Sequence, residues 1–154
     1  MKGNERVIAI LNDMLADELT AISQYMLHSE MCANWGYNRL HEAIEKRAID
    51  EMKHAEKLIG RILYLEGNPT VSKLNPMSIG ATVEEQLKND QKAEVGAITG
   101  YNKAIKEVAD LADNGTHSFL TNILLDEEDH IDWIETQLDQ ITQMGVESYL
   151  SLQI

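Results

Sequence analysis

Cysteine, proline, phenylalanine and positive charge are all scarce in this chain of 154 residues. Cys32 is the single cysteine, so neither an intrachain disulfide nor an appended four-cysteine metal domain can form, and a reducing, cytoplasmic compartment is expected. Pro69 and Pro76 are the only prolines, and both fall between Gly67 and Ala81. No proline interrupts the rest of the chain, which is therefore free to form long helices. With aromatics at 5% of residues the core must be mainly aliphatic. Only 13 Lys and Arg stand against 26 Asp and Glu, a net charge of −13. That balance argues against nucleic acid and anionic membrane surfaces, and favours small cations as partners. Long apolar runs are missing too. Val7 to Leu11 gives way to Asn12 and Asp13, which is too short for a signal-peptide core, and nothing approaches a membrane span. The length suits one domain over residues 1–154, with a full hydrophobic core.

What is present is helical periodicity. Start and stop signals predict a first helix from about Asn4 to Trp35, ended by Gly36, and a second capped by Asn38 and ending before Gly67. Thr82 with Glu85 forms a capping box for a third, which is expected to stop near Asn114 and Gly115. A fourth is expected from near Thr116 to before Gly145, followed by a short tail from Val146 to Ile154. Each helix carries an apolar stripe at spacings of three and four, such as Leu11, Leu15, Ile22 and Tyr25 on the first. Short connections make helices one and two, and three and four, antiparallel hairpins. The long middle connection can cross the length of a bundle.

Carboxylates interrupt these stripes in a repeated pattern. Glu18 is followed 33 residues later by Glu51, with His54 three beyond; Glu94 is followed 33 residues later by Glu127, with His130 three beyond. The offset between copies is 76, and it maps Asp50 onto Asp126. One Glu-x-x-His in an acidic protein is weak evidence. Two copies, each with the same upstream glutamate and all on faces meant for burial, point to a two-metal centre. Four buried glutamates need compensation that two divalent ions supply. One imidazole per metal favours iron, manganese, cobalt or zinc over magnesium or calcium. Asp50 and Asp126 are candidates to orient the histidine rings, each serving either its own or the opposite one.

These motifs, with Asn34-Trp35-Gly36, Ile49 to Ala55, Arg61-Ile62-Leu63, Leu65-Glu66-Gly67, His130-Ile131-Asp132-Trp133 and Met144-Gly145 in order, resemble the bacterioferritins over essentially the whole chain. The resemblance implies an all-α, ferritin-like four-helix bundle with one long crossover and a short C-terminal helix. It implies Glu51 and Glu127 bridging two irons, Glu18 with His54 completing one site, and Glu94 with His130 the other. The implied activity is oxidation of Fe(II) by dioxygen or hydrogen peroxide, with Fe(III) mineral stored inside a hollow shell of 24 subunits. Met52 points away from the bundle axis. A mid-helix methionine ordinarily packs, but the resemblance makes it the ligand of a b-type haem shared by two subunits. Leu19, Ile22, Met26, Ile49, Ala55 and Ile59 would line that pocket. Thioether ligation suits an electron conduit for iron release, fed by a ferredoxin-type reductant.

Further candidates stand beside these. Tyr25, near Glu18 by helical spacing, is placed to lend an electron or a hydrogen bond, or is a core tyrosine with no such role. By the resemblance, Asn34, Glu66, Asp132 and Asp139 would line an intersubunit pore. Trp35 and Trp133 fit the pattern or simply pack, and His28, His41 and His117 are given no role. Three positions depart from the family. Lys46 replaces a histidine of a cavity-surface iron site found in many relatives, Arg47 replaces a glutamate, and Leu58 replaces a tyrosine of some relatives. Lys46 puts that surface site in doubt, and Arg47 is expected to tighten the carboxylates electrostatically. Two other readings use the same residues. One is a non-storing di-iron oxidase or peroxidase; the other is a haem-binding electron-transfer dimer.

Overall fold

The computed structural model describes residues 1–154, and all of its regular structure is helical. Helix α1 spans Glu5–Asn34, α2 Asn38–Tyr64, α3 Val83–Asp110, α4 Asn114–Met144 and α5 Val146–Ser151. Asn4 caps α1 by accepting from the Arg6 N–H at 2.8 Å. Gly36, at φ 84°, turns the chain after it, a conformation that costs glycine nothing. At α3 the capping box forms, with Thr82 Oγ1 accepting from the Glu85 N–H and Glu85 reaching back to the Ala81 N–H.

Two boundaries differ from expectation. Asn38 is the first residue of α2 rather than its cap, and Tyr37 precedes it with no side-chain cap. Helix α3 stops at Asp110, short of Asn114 and Gly115, which belong to the first turn of α4. Asp113 is the capping residue there. Its carboxylate accepts from the Thr116 N–H at 3.0 Å and the Thr116 hydroxyl at 2.7 Å, and pairs with Arg61 at 3.3 Å. A side chain at Gly115 would meet the Arg61 guanidinium at 2.8 Å, so this glycine serves close packing rather than helix termination.

The crossover from Leu65 to Thr82 is strapped to α1 through polar side chains. The N–H of Thr70 donates to Asn12, that of Asn75 to Thr20, that of Ser78 to Gln24 and that of Gly80 to His28 Nε2. The acceptors climb α1 while the donors advance along the crossover, which carries the chain to the far end of the bundle before α3 begins. Cross-helix contacts then fix the arrangement. Arg6 meets Glu107 and Tyr25 meets Glu94, so α1 and α3 are antiparallel; Arg61 meets Asp113 and His54 meets Asp126, so α2 and α4 are antiparallel.

The apolar core is divided in two. One cluster gathers Leu11, Leu15, Leu58, Ile62, Val108 and Leu120 with their neighbours; the other gathers Tyr25, Leu40, Ile44, Leu87, Ile141 and Tyr149. Along each long helix the repeated glutamate lies between residues of the two clusters, so the division marks a polar layer across the bundle. No helix is long and apolar enough to cross a membrane.

Candidate metal centre

Each of the four long helices brings one glutamate to this layer, and α2 and α4 add a histidine one turn on. Glu18, Glu51, Glu94 and Glu127 are all at least 97% buried. Their ligand atoms form two groups. Glu18, Glu51, His54 and Glu127 make one; Glu51, Glu94, Glu127 and His130 make the other. Glu51 and Glu127 belong to both, which is the arrangement a bridging pair requires. The two imidazole centroids are 6.1 Å apart.

The histidines use their two nitrogens differently. His54 Nδ1 faces inward, 3.0 Å from Glu51, 2.9 Å from Glu127 and 3.6 Å from Glu18, while its Nε2 meets Asp126 at 3.0 Å. His130 Nδ1 lies 3.0 Å from Glu51 and 3.8 Å from Glu94, and its Nε2 is 3.6 Å from Asp50. Asp126 therefore hydrogen-bonds the histidine of the other repeat, and Asp50 faces the opposite histidine at a distance short of a hydrogen bond. This crossing resolves what spacing left open, and it directs Nδ1 of both rings toward the carboxylates.

A second crossing involves phenols. Tyr25 donates to Glu94 at 2.7 Å, rather than to Glu18 on its own helix, and Tyr101 donates to Glu18. Motif spacing does not single out Tyr101, although the 76-residue offset maps Tyr25 onto it and so signals it. Both phenols are buried, and burial followed by the facing carboxylates holds both well above the usual tyrosine range.

The donor set fits cations. Glu51 Oε1, Glu94 Oε2, Glu127 Oε1 and His130 Nδ1 are buried and, although Glu51 and Glu127 approach the imidazole nitrogens within 3.0 Å, none of the four has a partner in hydrogen-bonding geometry, a costly state unless something else coordinates them. Without metal, protons supply the positive charge. Burial and the Glu51 charge push Glu18 up to about 8; burial and Glu127 push Glu94 well above the carboxylate range; burial, with Glu51 and Glu18, lifts Glu127 to about 7. Burial would lower His54, but the facing carboxylates of Glu127, Glu18 and Glu51 outweigh that and raise it far above the ordinary range. A hollow of about 270 Å³ beneath the crossover reaches Glu18, Tyr25, Tyr101 and Glu127 from the α1 and α3 side. One of about 250 Å³ between α2 and α4 reaches both histidines.

The other candidates divide. Met52 is exposed on the outer face of α2, beside a hollow of about 200 Å³ lined by Ile22, Met26, Ala48 and Ile49. Ala55 is buried in the core, with Leu19 and Ile59 packed against it, so these three do not line that hollow. Asn34, Glu66, Asp132 and Asp139 are exposed; Asn34 and Glu66 lie at opposite ends of the bundle, so the four do not converge within one chain. Lys46 lies 3.8 Å from Asp50, and Leu58 is core. Arg47 departs from expectation: it stacks on Trp133 at 4.7 Å and pairs with none of the carboxylates. His28 also acquires a role, accepting from Gly80 and meeting Asp90 at 2.9 Å, wholly buried.

Residues 8–144 match the ferritin family of ferritin-like domains. The chain is 43% identical over 150 residues to a bacterioferritin of Brucella melitensis, covering 97% of this chain and 92% of that protein. It is 41% identical over 149 residues to a bacterioferritin of Mycolicibacterium paratuberculosis, at 97% and 94% coverage. With a bacterioferritin of Rhodobacter capsulatus the identity is 38% over 152 residues, at 99% and 94%.

Proposed function

The chain belongs to the ferritin family, alongside the bacterioferritins, and from this premise we propose that it is a ferroxidase and iron store acting as one di-iron domain over residues 1–154. The carrying observation is the sharing of Glu51 and Glu127 between two groups of ligands, each completed by one terminal glutamate and one histidine. Fe(II) is the substrate. Two Fe(II) neutralise four glutamates and displace the protons that the metal-free centre holds. Glu51 and Glu127 bridge them, Glu18 and His54 complete one site, and Glu94 and His130 complete the other. Asp126 and Asp50 hold the rings so that Nδ1 faces metal. Dioxygen or hydrogen peroxide takes the electrons, and Tyr25, bonded to Glu94, is placed to lend one more. The two hollows offer separate paths for iron to reach the centre and to leave it.

Storage requires a closed shell, here of 24 subunits built from dimers, in the cytoplasm. Met52 and its twofold mate would hold a b-type haem at the dimer interface. What supports this is the exposed hollow beside Met52, lined by Ile22, Met26, Ala48 and Ile49 together with Ser29, Glu30 and Glu45. When bound, the haem supplies one-electron transfer for iron release, with a ferredoxin-type protein as reductant. Asn34, Glu66, Asp132 and Asp139 could meet only across neighbouring subunits, where a pore for cations would form.

Aerobic Fe(II) titration of the metal-free protein, followed in stopped flow, tests this reading. A fast oxidation saturating at two Fe(II) per chain, then slow uptake of many more, is expected. Fast oxidation without further uptake would replace storage with the non-storing oxidase, and no fast phase would overturn the ferroxidase assignment.

A further inference from the structure

Arg47 is the only lysine or arginine buried in this chain, at 6% exposure. Its Nε is sealed from solvent without a hydrogen-bond partner, and the guanidinium forms no ion pair with a carboxylate; it stacks on the face of Trp133. A guanidinium has five donors in its plane, and stacking on an aromatic face leaves that plane free. A buried, unpaired cation is costly unless a counter-charge arrives.

The space beside it is suited to one. Lys46, Arg47, Asp50, Asp129, His130 and Trp133 line a hollow of about 260 Å³, several times the volume share of a water. Its carboxylates do not satisfy Arg47. Asp50 is drawn to Lys46 at 3.8 Å, Lys53 at 3.8 Å and His130 at 3.6 Å, and Asp129 is exposed. Lys53 and Lys57 stand on the adjoining hollow that reaches both histidines. Around these two adjoining hollows Lys46, Arg47, Lys53 and Lys57 thus stand against Asp50, Asp126 and Asp129, four cations to three carboxylates in a molecule whose net charge is −13.

We propose that Arg47 and Lys46 form a site for a tetrahedral oxyanion of the inorganic phosphate class, at the mouth of the metal centre beside His130. The in-plane donors of Arg47 suit two oxygens of such an anion, and Lys46 adds a mobile charge from the rim. The bound oxyanion presents hard oxygen donors to iron leaving the carboxylates. That consequence rests on the ferroxidase reading; the binding does not.

The test uses the assembled, chelator-stripped protein and radiolabelled inorganic phosphate in equilibrium dialysis at low salt. A second readout is Trp133 fluorescence in a Trp35→Phe background, which responds only if the anion engages the guanidinium stacked on that ring. Saturable binding near one phosphate per chain is expected, with a matching fluorescence change. Arg47→Gln should weaken it on the order of tenfold or more, and Lys46→Gln by a smaller factor. Wild-type affinity in Arg47→Gln, or no saturable binding to the wild type, overturns the proposal. If Arg47→Gln fails to fold, the exposed Lys46→Gln decides. Unchanged phosphate affinity in that variant, with no Trp133 response, also overturns it. Because no iron is present, failure here leaves the ferroxidase reading intact, and loss of ferroxidase activity leaves this one intact.

Discussion

Replacing Glu18 with glutamine should stabilise the metal-free protein while crippling its metal site. Glu18 is 97% buried and its carboxyl titrates near 8 against an ordinary 4.5. Between those values the native chain keeps a proton that the unfolded chain has released. Wild-type stability therefore falls as pH rises from about 4.5 to 8, and the full penalty applies above 8. A gap of that size sets an upper limit of roughly 5 kcal/mol; relaxation of the site and its coupling to Glu127 should leave about 1–3 kcal/mol. The substituted amide keeps the shape of the carboxyl and the oxygen that accepts from Tyr101, so no cavity offsets the gain. Thermal denaturation in chelator at pH 9 should place Glu18→Gln roughly 2–12 °C above wild type, with little difference at pH 5. Adding zinc or cobalt should reverse the order, because only the wild type retains four carboxylates to share between two ions. A metal-free variant less stable than wild type at pH 9, or equally stabilised at pH 5 and pH 9, would refute the electrostatic reasoning.

Other consequences can be measured directly. Loading two divalent ions per chain at pH 7 should release roughly two to three protons, since Glu18 and His54 hold theirs at that pH and Glu127, lifted to about 7, holds part of one; the release seen in a pH-stat should shrink above pH 8. Asp113→Ala removes the cap of α4 and the partner of Arg61, and should cost about 1–2 kcal/mol in denaturant unfolding. His28→Ala leaves the Gly80 N–H buried without its partner and Asp90 with the Gln24 amide alone. It should cost roughly 2–4 kcal/mol and speed proteolytic cleavage between residues 67 and 82, with cleavage at the wild-type rate counting against the strap. Met52→Leu should abolish haem binding, read as loss of its visible absorption, while the fast Fe(II) oxidation persists.

Several features were legible because they depend on one helix at a time. A glutamate three residues before a histidine shares its face whatever the helix packs against. The apolar stripes therefore announced four buried faces, and the 76-residue offset announced that two hairpins would repeat one site. The division of the core at Glu18, Glu51, Glu94 and Glu127 follows from the same stripes. The crossover was legible as well, since both prolines and the absence of periodicity lie there.

What spacing could not supply was the choice of partner across helices. Asp126 bonds His54 and Asp50 faces His130; Tyr25 bonds Glu94 and Tyr101 bonds Glu18. These pairings depend on the axial offset and rotation with which antiparallel helices settle, which packing sets and no single helix encodes. The same reason explains His28, whose partners Asp90 and Gly80 are more than 50 residues away, and Gly115, whose small size answers Arg61 on another helix. It also explains Arg47: the sequence pointed to an electrostatic role beside the carboxylates, but the packing of α2 on α4 set it on Trp133 and away from the glutamates. Which side chains turn inward can be read along the chain, because helical period alone fixes it. Which of them meet is a property of the assembled bundle.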